Sequence, residues 1–135
     1  MEVNLFAVFV AAIGAIAVGM LWYSKPMFGP MWMQLLGWDK KEEEDAKKSA
    51  MTAMIAGMAV QLVTAYVLAH ILYVLDVDSA SEAIKAALTL WVGLVGPTQI
   101  GSVLWEKRPF TLFVLNGAHS IVALCVMSII LTLVS

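Results

Sequence analysis

Charge is the scarcest commodity in this sequence. Of 135 residues, 8 are lysine or arginine and 10 are aspartate or glutamate, 13% in all, while 61% are hydrophobic. A water-soluble domain runs nearer ~25% charged and ~45–50% apolar, so this chain has too little polar surface to cover a globule in water. The net charge of -2, with the few basic residues set beside acids, leaves no electrostatic footprint for nucleic acid. A single cysteine, Cys125, excludes an intrachain disulfide and a thiolate metal cage; it reads as a small apolar side chain. Missing as well are a glycine-rich phosphate loop, a His-x-x-Glu-His helix and a Gly-x-Ser-x-Gly elbow. No catalytic residue, metal site or cofactor is assigned, and the expectation is that the chain is not an enzyme.

What the sequence has instead is long apolar stretches. Leu5 to Tyr23, Met51 to Leu75, Ala83 to Leu104 and Phe110 to Val134 contain one formal charge, Lys85, at the edge of the third. Each comes close to the ~20 residues that cross ~30 Å of hydrocarbon. Four such helices in one short soluble chain would leave no polar outer face. The expected fold is an all-α membrane protein: four transmembrane helices over about residues 5–23, 49–75, 82–105 and 109–134, in a single membrane domain spanning 1–135. The first stretch is read as a retained helix and not a leader, because "MEVN" is acidic where a leader is basic, and no small-x-small cleavage pattern follows.

Between helices 1 and 2 the segment "LWYSKPMFGPMWMQLLGWDKK" mixes aromatic residues with chain breakers. Trp22 and Tyr23 stand where helix 1 leaves hydrocarbon, and Trp32, Trp38 and Trp105 are similarly placed; such amphipathic rings prefer headgroup depth. Pro30 suits the start of a short helix and Gly37 its end. Phe28, Met31, Trp32, Leu35 and Leu36 form one apolar stripe, predicting an interfacial helix over about 29–37. Asp39 with Glu42 has capping-box spacing, so helix 2 is expected to start in water and rise into the membrane, steadied by Glu43–Lys47 and Glu44–Lys48 pairs. Ser79 with Glu82 repeats the capping signal before helix 3. Lys25, Lys40, Lys41, Lys47 and Lys48 in loop 1 and Lys107 and Arg108 in loop 3 outweigh Lys85 on the other side. The positive-inside rule then puts loops 1 and 3 in the cytoplasm and both termini outside, in the cell membrane of a prokaryote.

Three strings carry a family resemblance: "GMLWYSKPMFGPMWMQLLG" at the end of helix 1, "TAYVLAH" in helix 2, and "GPTQIGSVLWEKRPFTLFVLNGAHSIVALCVMSIILTLV" across helices 3 and 4. Together they resemble a small prokaryotic membrane family catalogued as domain of unknown function 1761. The resemblance covers nearly the whole chain. It implies four membrane helices, no established activity and no functional residue to carry over.

Polar residues inside hydrocarbon are costly and therefore the first functional suspects. The candidate intramembrane cluster is Thr98, Gln99, Asn116, His119, Ser120 and Gln61. Asn116, His119 and Ser120 share a face of helix 4, and Gln99 and Asn116 lie at similar depth when counted from the short turn between helices 3 and 4 at ~1.5 Å per residue. Pro97 removes a backbone bond and invites a kink. One reading makes these residues a polar cavity or pore, with His119 handling a proton or solute because histidine titrates near neutral pH. The other makes them, with Thr64 and Ser102, interhelical packing contacts worth ~0.6–2 kcal/mol each. His70, near the outer end of helix 2, reaches for headgroups, and Glu106 is an interfacial salt-bridge partner. No carboxylate lies inside the membrane, unlike exporters of the small multidrug type. Met27, Met31 and Met33 sit close together, but methionine at such spacing packs more often than it binds copper. Ala7, Ala11, Ala15 and Gly19 form a small-residue ridge on helix 1, repeated by Ala53 and Gly57 on helix 2, for packing within the bundle or between copies. The expected partners are the lipid bilayer and further copies of the chain. Two functions stay open: a homo-oligomeric bundle moving a small solute or ion, and a non-transporting structural or partner-binding membrane protein.

Overall fold

The computed structural model describes residues 3–134. Met1 and Glu2, part of the acidic start read against a leader, and Ser135 lie outside the described residues. The described chain is helical, with no strand. Helix α1 runs Leu5–Trp22 and is opened by Asn4, whose Oδ1 accepts from the amides of Phe6 and Ala7 at 3.0 and 3.2 Å. Helix α2, Gly29–Leu36, follows a tight turn in which the Gly29 amide donates to the Ser24 carbonyl at 3.0 Å. A Cβ on Gly29 would stand 2.5 Å from the Tyr23 carbonyl oxygen, so only glycine fits. Pro30 is the second residue of α2, one place later than the sequence suggests, and Gly37 ends it at φ +73°.

Helix α3, Lys40–Lys48, begins as expected with Asp39 Oδ1 accepting from the Glu42 amide at 2.8 Å. It does not run on into the membrane. Ser49 interrupts it, its hydroxyl donating to the carbonyls of Asp45 and Ala46 in competition with the helical backbone, and α4, Ala50–Val74, starts afresh. Glu43 and Lys47 meet at 3.9 Å, while the expected Glu44–Lys48 pair is not formed among the described residues.

The third span, Ala80–Leu104, is built in pieces. Ser79 Oγ accepts from the Glu82 amide at 3.2 Å and opens α5, Ala80–Leu90, two residues earlier than expected. A π-helical turn covers Trp91–Val95, and α6 continues from Gly96 to Leu104. Pro97 cannot donate to the carbonyl one turn back, and the widened turn lies directly ahead of it. The Trp91 ring fills this region: a Cβ on Gly96 would come within 2.8 Å of it and one on Gly117 within 3.0 Å. Helix α7, Phe110–Val134, completes the bundle.

Among the described residues, α1, α4, Ala80–Leu104 and α7 are four helices long and apolar enough to cross a membrane. Only 11–28% of each span is buried within the chain, and Phe9, Ile55, Val63, Val92 and Val114 point outward. Outward apolar faces on each of these four spans fit a multi-pass membrane protein.

Helix α7 is central and packs against α1, α4, α5 and α6. The core lies at one end of the bundle, where α1 and α5 begin and α4 and α7 finish: Ala7, Val8, Ala11, Ala15, Ala65, Leu68, Leu72, Ala86, Met127 and Leu131. Ala7, Ala11 and Ala15 are buried here, so the first small-residue ridge is spent inside the chain, bringing backbones close. The second ridge is not: residues 50–56 of α4 are exposed. The bundle is closed at one end and open at the other, where loops 1 and 3 lie.

Candidate functional site

The opening between α1 and α4 is a groove of about 1030 Å³. Small residues create it. Ala15 and Gly19 on α1 face Ala50, Ala53 and Gly57 on α4, and a Cβ on Gly57 would meet nothing nearer than Ile16 Cδ1 at 3.9 Å. Gln61 and His119 line the groove between these walls. Counted from the open ends of their helices at ~1.5 Å per residue, they stand roughly 13–17 Å in, near the middle of a ~30 Å span. At the other end α3 presents Glu42, Asp45 and Ala46, with Ser49 beyond.

One wall is aromatic. Trp38 packs edge-on against Trp32 at 5.1 Å between centroids, Trp32 against Tyr23 at 5.0 Å, and Tyr23 against His119 at 5.1 Å. Trp22 continues the series, 6.3 Å from His119 and 4.8 Å from Phe28. The stripe predicted for α2 therefore packs partly onto the end of α1 and onto α7. Gly19 leaves room for the imidazole, since a Cβ there would lie 3.4 Å from His119 Nε2. That nitrogen and Trp22 Nε1 are buried without a hydrogen-bond partner.

A second groove of about 500 Å³ lies on the other side of α7, lined by Thr98, Gln99, Ser102, Trp105, Glu106 and Asn116 among others. The six candidate polar residues are thus divided. Gln61 and His119 belong to the first groove, and Thr98, Gln99 and Asn116 to the second. Ser120 lies between helices, accepting from Trp91 Nε1 at 2.7 Å and donating to the Gly117 carbonyl at 2.9 Å, with Gln99 Oε1 a long 3.5 Å away. Thr98 and Thr64 return their hydroxyls to their own helices, at Leu94 and Val60, and so do not join helices together. His70 rests edge-on against Tyr66 at 4.8 Å.

The residue that sequence reasoning undervalued is Tyr23. Its hydroxyl donates to Asn116 Oδ1 at 2.6 Å, so a ring lining the first groove is bonded to a side chain lining the second. Trp91 was the other omission: nothing in an apolar run marks one indole as a donor until its partner helix is known. No group of three or more histidine, cysteine, aspartate or glutamate side chains converges to hold a metal among the described residues. The arrangement offers binding surface and two polar side chains at depth.

Comparison with known proteins adds a family. The model of a family described as a protein of unknown function matches residues 6–132. No curated protein matches the chain, and no solved structure does.

Proposed function

The chain belongs to the DUF1761 family, proteins of unknown function, and from its own residues we propose that it binds a small amphiphilic solute in the groove between α1 and α4 and moves it as a homo-oligomer. The observation that carries this reading is the asymmetry of the bundle. A groove reaches to Gln61 and His119, about half the depth of the membrane, and the remaining half is closed by the alanine-rich core. A site open from one face and blocked from the other is half of an alternating-access path.

Seven basic residues in loops 1 and 3 favour the cytoplasm for the open end and the outside for both termini. A complete path needs the other half to open, and a bundle of four spans has little interior to spare. The exposed start of α4, with Met51, Met54 and Ile55 uncovered, offers a face for a second copy. The competing reading, a non-transporting structural or partner-binding protein, draws support from the closed core and from polar contacts such as Trp91–Ser120 that join helices without lining a path.

Reconstitution into liposomes decides between them. Protein-dependent movement of a fluorescent amphiphile, with a dimer or larger assembly seen by native mass spectrometry from lipid, supports the carrier. Absence of flux for cationic, anionic and neutral amphiphiles alike, with a monomer in lipid, would overturn it in favour of the structural protein.

A further inference from the structure

Resting on the reading of the α1–α4 groove as a solute site, we propose that its ligand is a lipophilic organic cation: a compact apolar body carrying one positive charge. Three independent features converge. The first is charge. Glu42, Asp45, Ala46 and Ser49 follow an i, i+3, i+4, i+7 pattern, which sets them on one face of α3 and its C-terminal cap, and all four line the groove. Lys41 and Lys48 stand four and three residues from Asp45, at the border of that face, but no lysine of α3 lines the groove. Among the described residues the groove lining holds two carboxylates and no lysine or arginine, although loop 1 as a whole is rich in lysine. Lys47 is turned toward Glu43 instead.

The second feature is the wall beside those acids. Tyr23, Trp32 and Trp38 stand in series, each ring about a ring's width from the next, and all three line the groove. Aromatic faces attract cations, tryptophan most strongly, and are the usual partners of quaternary ammonium groups, which cannot hydrogen-bond. The third feature is size and polarity. A groove of about 1030 Å³ with alanine, glycine, isoleucine and methionine walls suits an organic molecule and not a bare ion. Two carboxylates without a third converging ligand make a poor site for a divalent metal.

These features also order the ligand. The carboxylates belong to α3, outside the spans, so the charged group stays at the aqueous end between Glu42, Asp45 and the tryptophans. The apolar body points toward Gly57 and Ile16. A lipid headgroup is a worse fit, because its phosphate would face the two acids without a cation to meet it.

The test uses the full chain in nanodiscs of zwitterionic lipid and two ions of nearly equal shape and opposite charge, tetraphenylphosphonium and tetraphenylborate, measured by equilibrium dialysis against empty nanodiscs. The expected result is phosphonium binding at least about tenfold tighter than borate, with that preference cut roughly tenfold in the Glu42→Gln/Asp45→Asn double variant. Trp32→Leu should weaken phosphonium roughly threefold to tenfold. Both carboxylates are exposed, so the thermal transition of the double variant should not move, and loss of binding there cannot be blamed on unfolding. Equal binding of the two ions, or phosphonium binding untouched in the double variant, overturns the cation assignment. If borate or a neutral amphiphile is nevertheless carried across liposomes, the solute-site reading stands and only the cation assignment falls. If neither ion binds and nothing is moved, both fall together.

Discussion

Tyr23, just past the end of α1, donates its hydroxyl to Oδ1 of Asn116 on α7 across 2.6 Å, joining residues 93 apart in sequence. The bond links a residue lining one groove to a residue lining the other. It also ties the loop-1 end of the bundle together, where the alanine-rich core is absent. Tyr23→Phe should therefore lower stability in detergent by about 0.6–2 kcal/mol, with Asn116→Leu costing less in the Tyr23→Phe background than in the wild type. Additive losses in that double-mutant cycle, read from thermal unfolding, would mean that the bond contributes nothing.

Glycines around the third span make a controlled pair. Gly96→Ala places a Cβ within 2.8 Å of the Trp91 ring, whereas Gly93→Ala meets nothing within 4 Å. Overpacking should make the first variant about 1–3 kcal/mol less stable. The second should be neutral or gain up to about 1 kcal/mol from better helix propensity. Paired unfolding curves in detergent check both.

Gly57 tests the groove itself. Gly57→Ala has 3.9 Å of clearance to Ile16 and should leave stability and solute uptake alone, whereas Gly57→Phe should fill the groove. The expected outcome is abolished amphiphile flux with a melting temperature within a few degrees of wild type. Undiminished flux through the phenylalanine variant would place any path elsewhere.

Orientation is checked by labelling in intact cells, in a Cys125→Ser background. Lysine in loop 1 and aspartate in the turn after α4 are both exposed at Lys41 and Asp78. A cysteine replacing Asp78 should react with an impermeant maleimide from outside, and one replacing Lys41 only after the membrane is opened. The reverse pattern would invert the topology.

Much of the fold could be read from the sequence because it is decided locally. Length and apolarity specify the spans, and the caps at Asp39 and Ser79 need only a side chain and an amide three residues on. Depth counting put Gln99 and Asn116 at one level, and they line one groove. What could not be read depends on how helices diverge. The break at Ser49 turns on a serine choosing its own backbone, a contest that periodicity does not register. His119 and Asn116 share a helical face by count, yet α7 is thin enough for neighbours three residues apart to serve different grooves. Glu42 and Asp45 looked like part of a solvated run; only the splay of α4 away from α1 gives them a cavity to overlook.

The π-helical turn at Trp91–Val95 acts on the third span like a one-residue insertion. Ala83, Ala86 and Ala87 bury the α5 face, and continuing their rhythm in an unbroken α-helix would bring Leu94 inward. Leu94 is instead 65% exposed, and Gly96 is buried. The extra residue swings every later side chain by about 100°, which is how a helix that begins as an alanine packing strip ends with Gln99 and Ser102 on a groove. Deleting Gly93 would take the extra residue out and leave a plain α-helix with Gln99 still toward Ser120, whereas an unbroken helix that kept Gly93 would bring Leu94 to the packed face. The span's two characters, adhesive in one half and polar-lined in the other, are thus set by a single residue of phase.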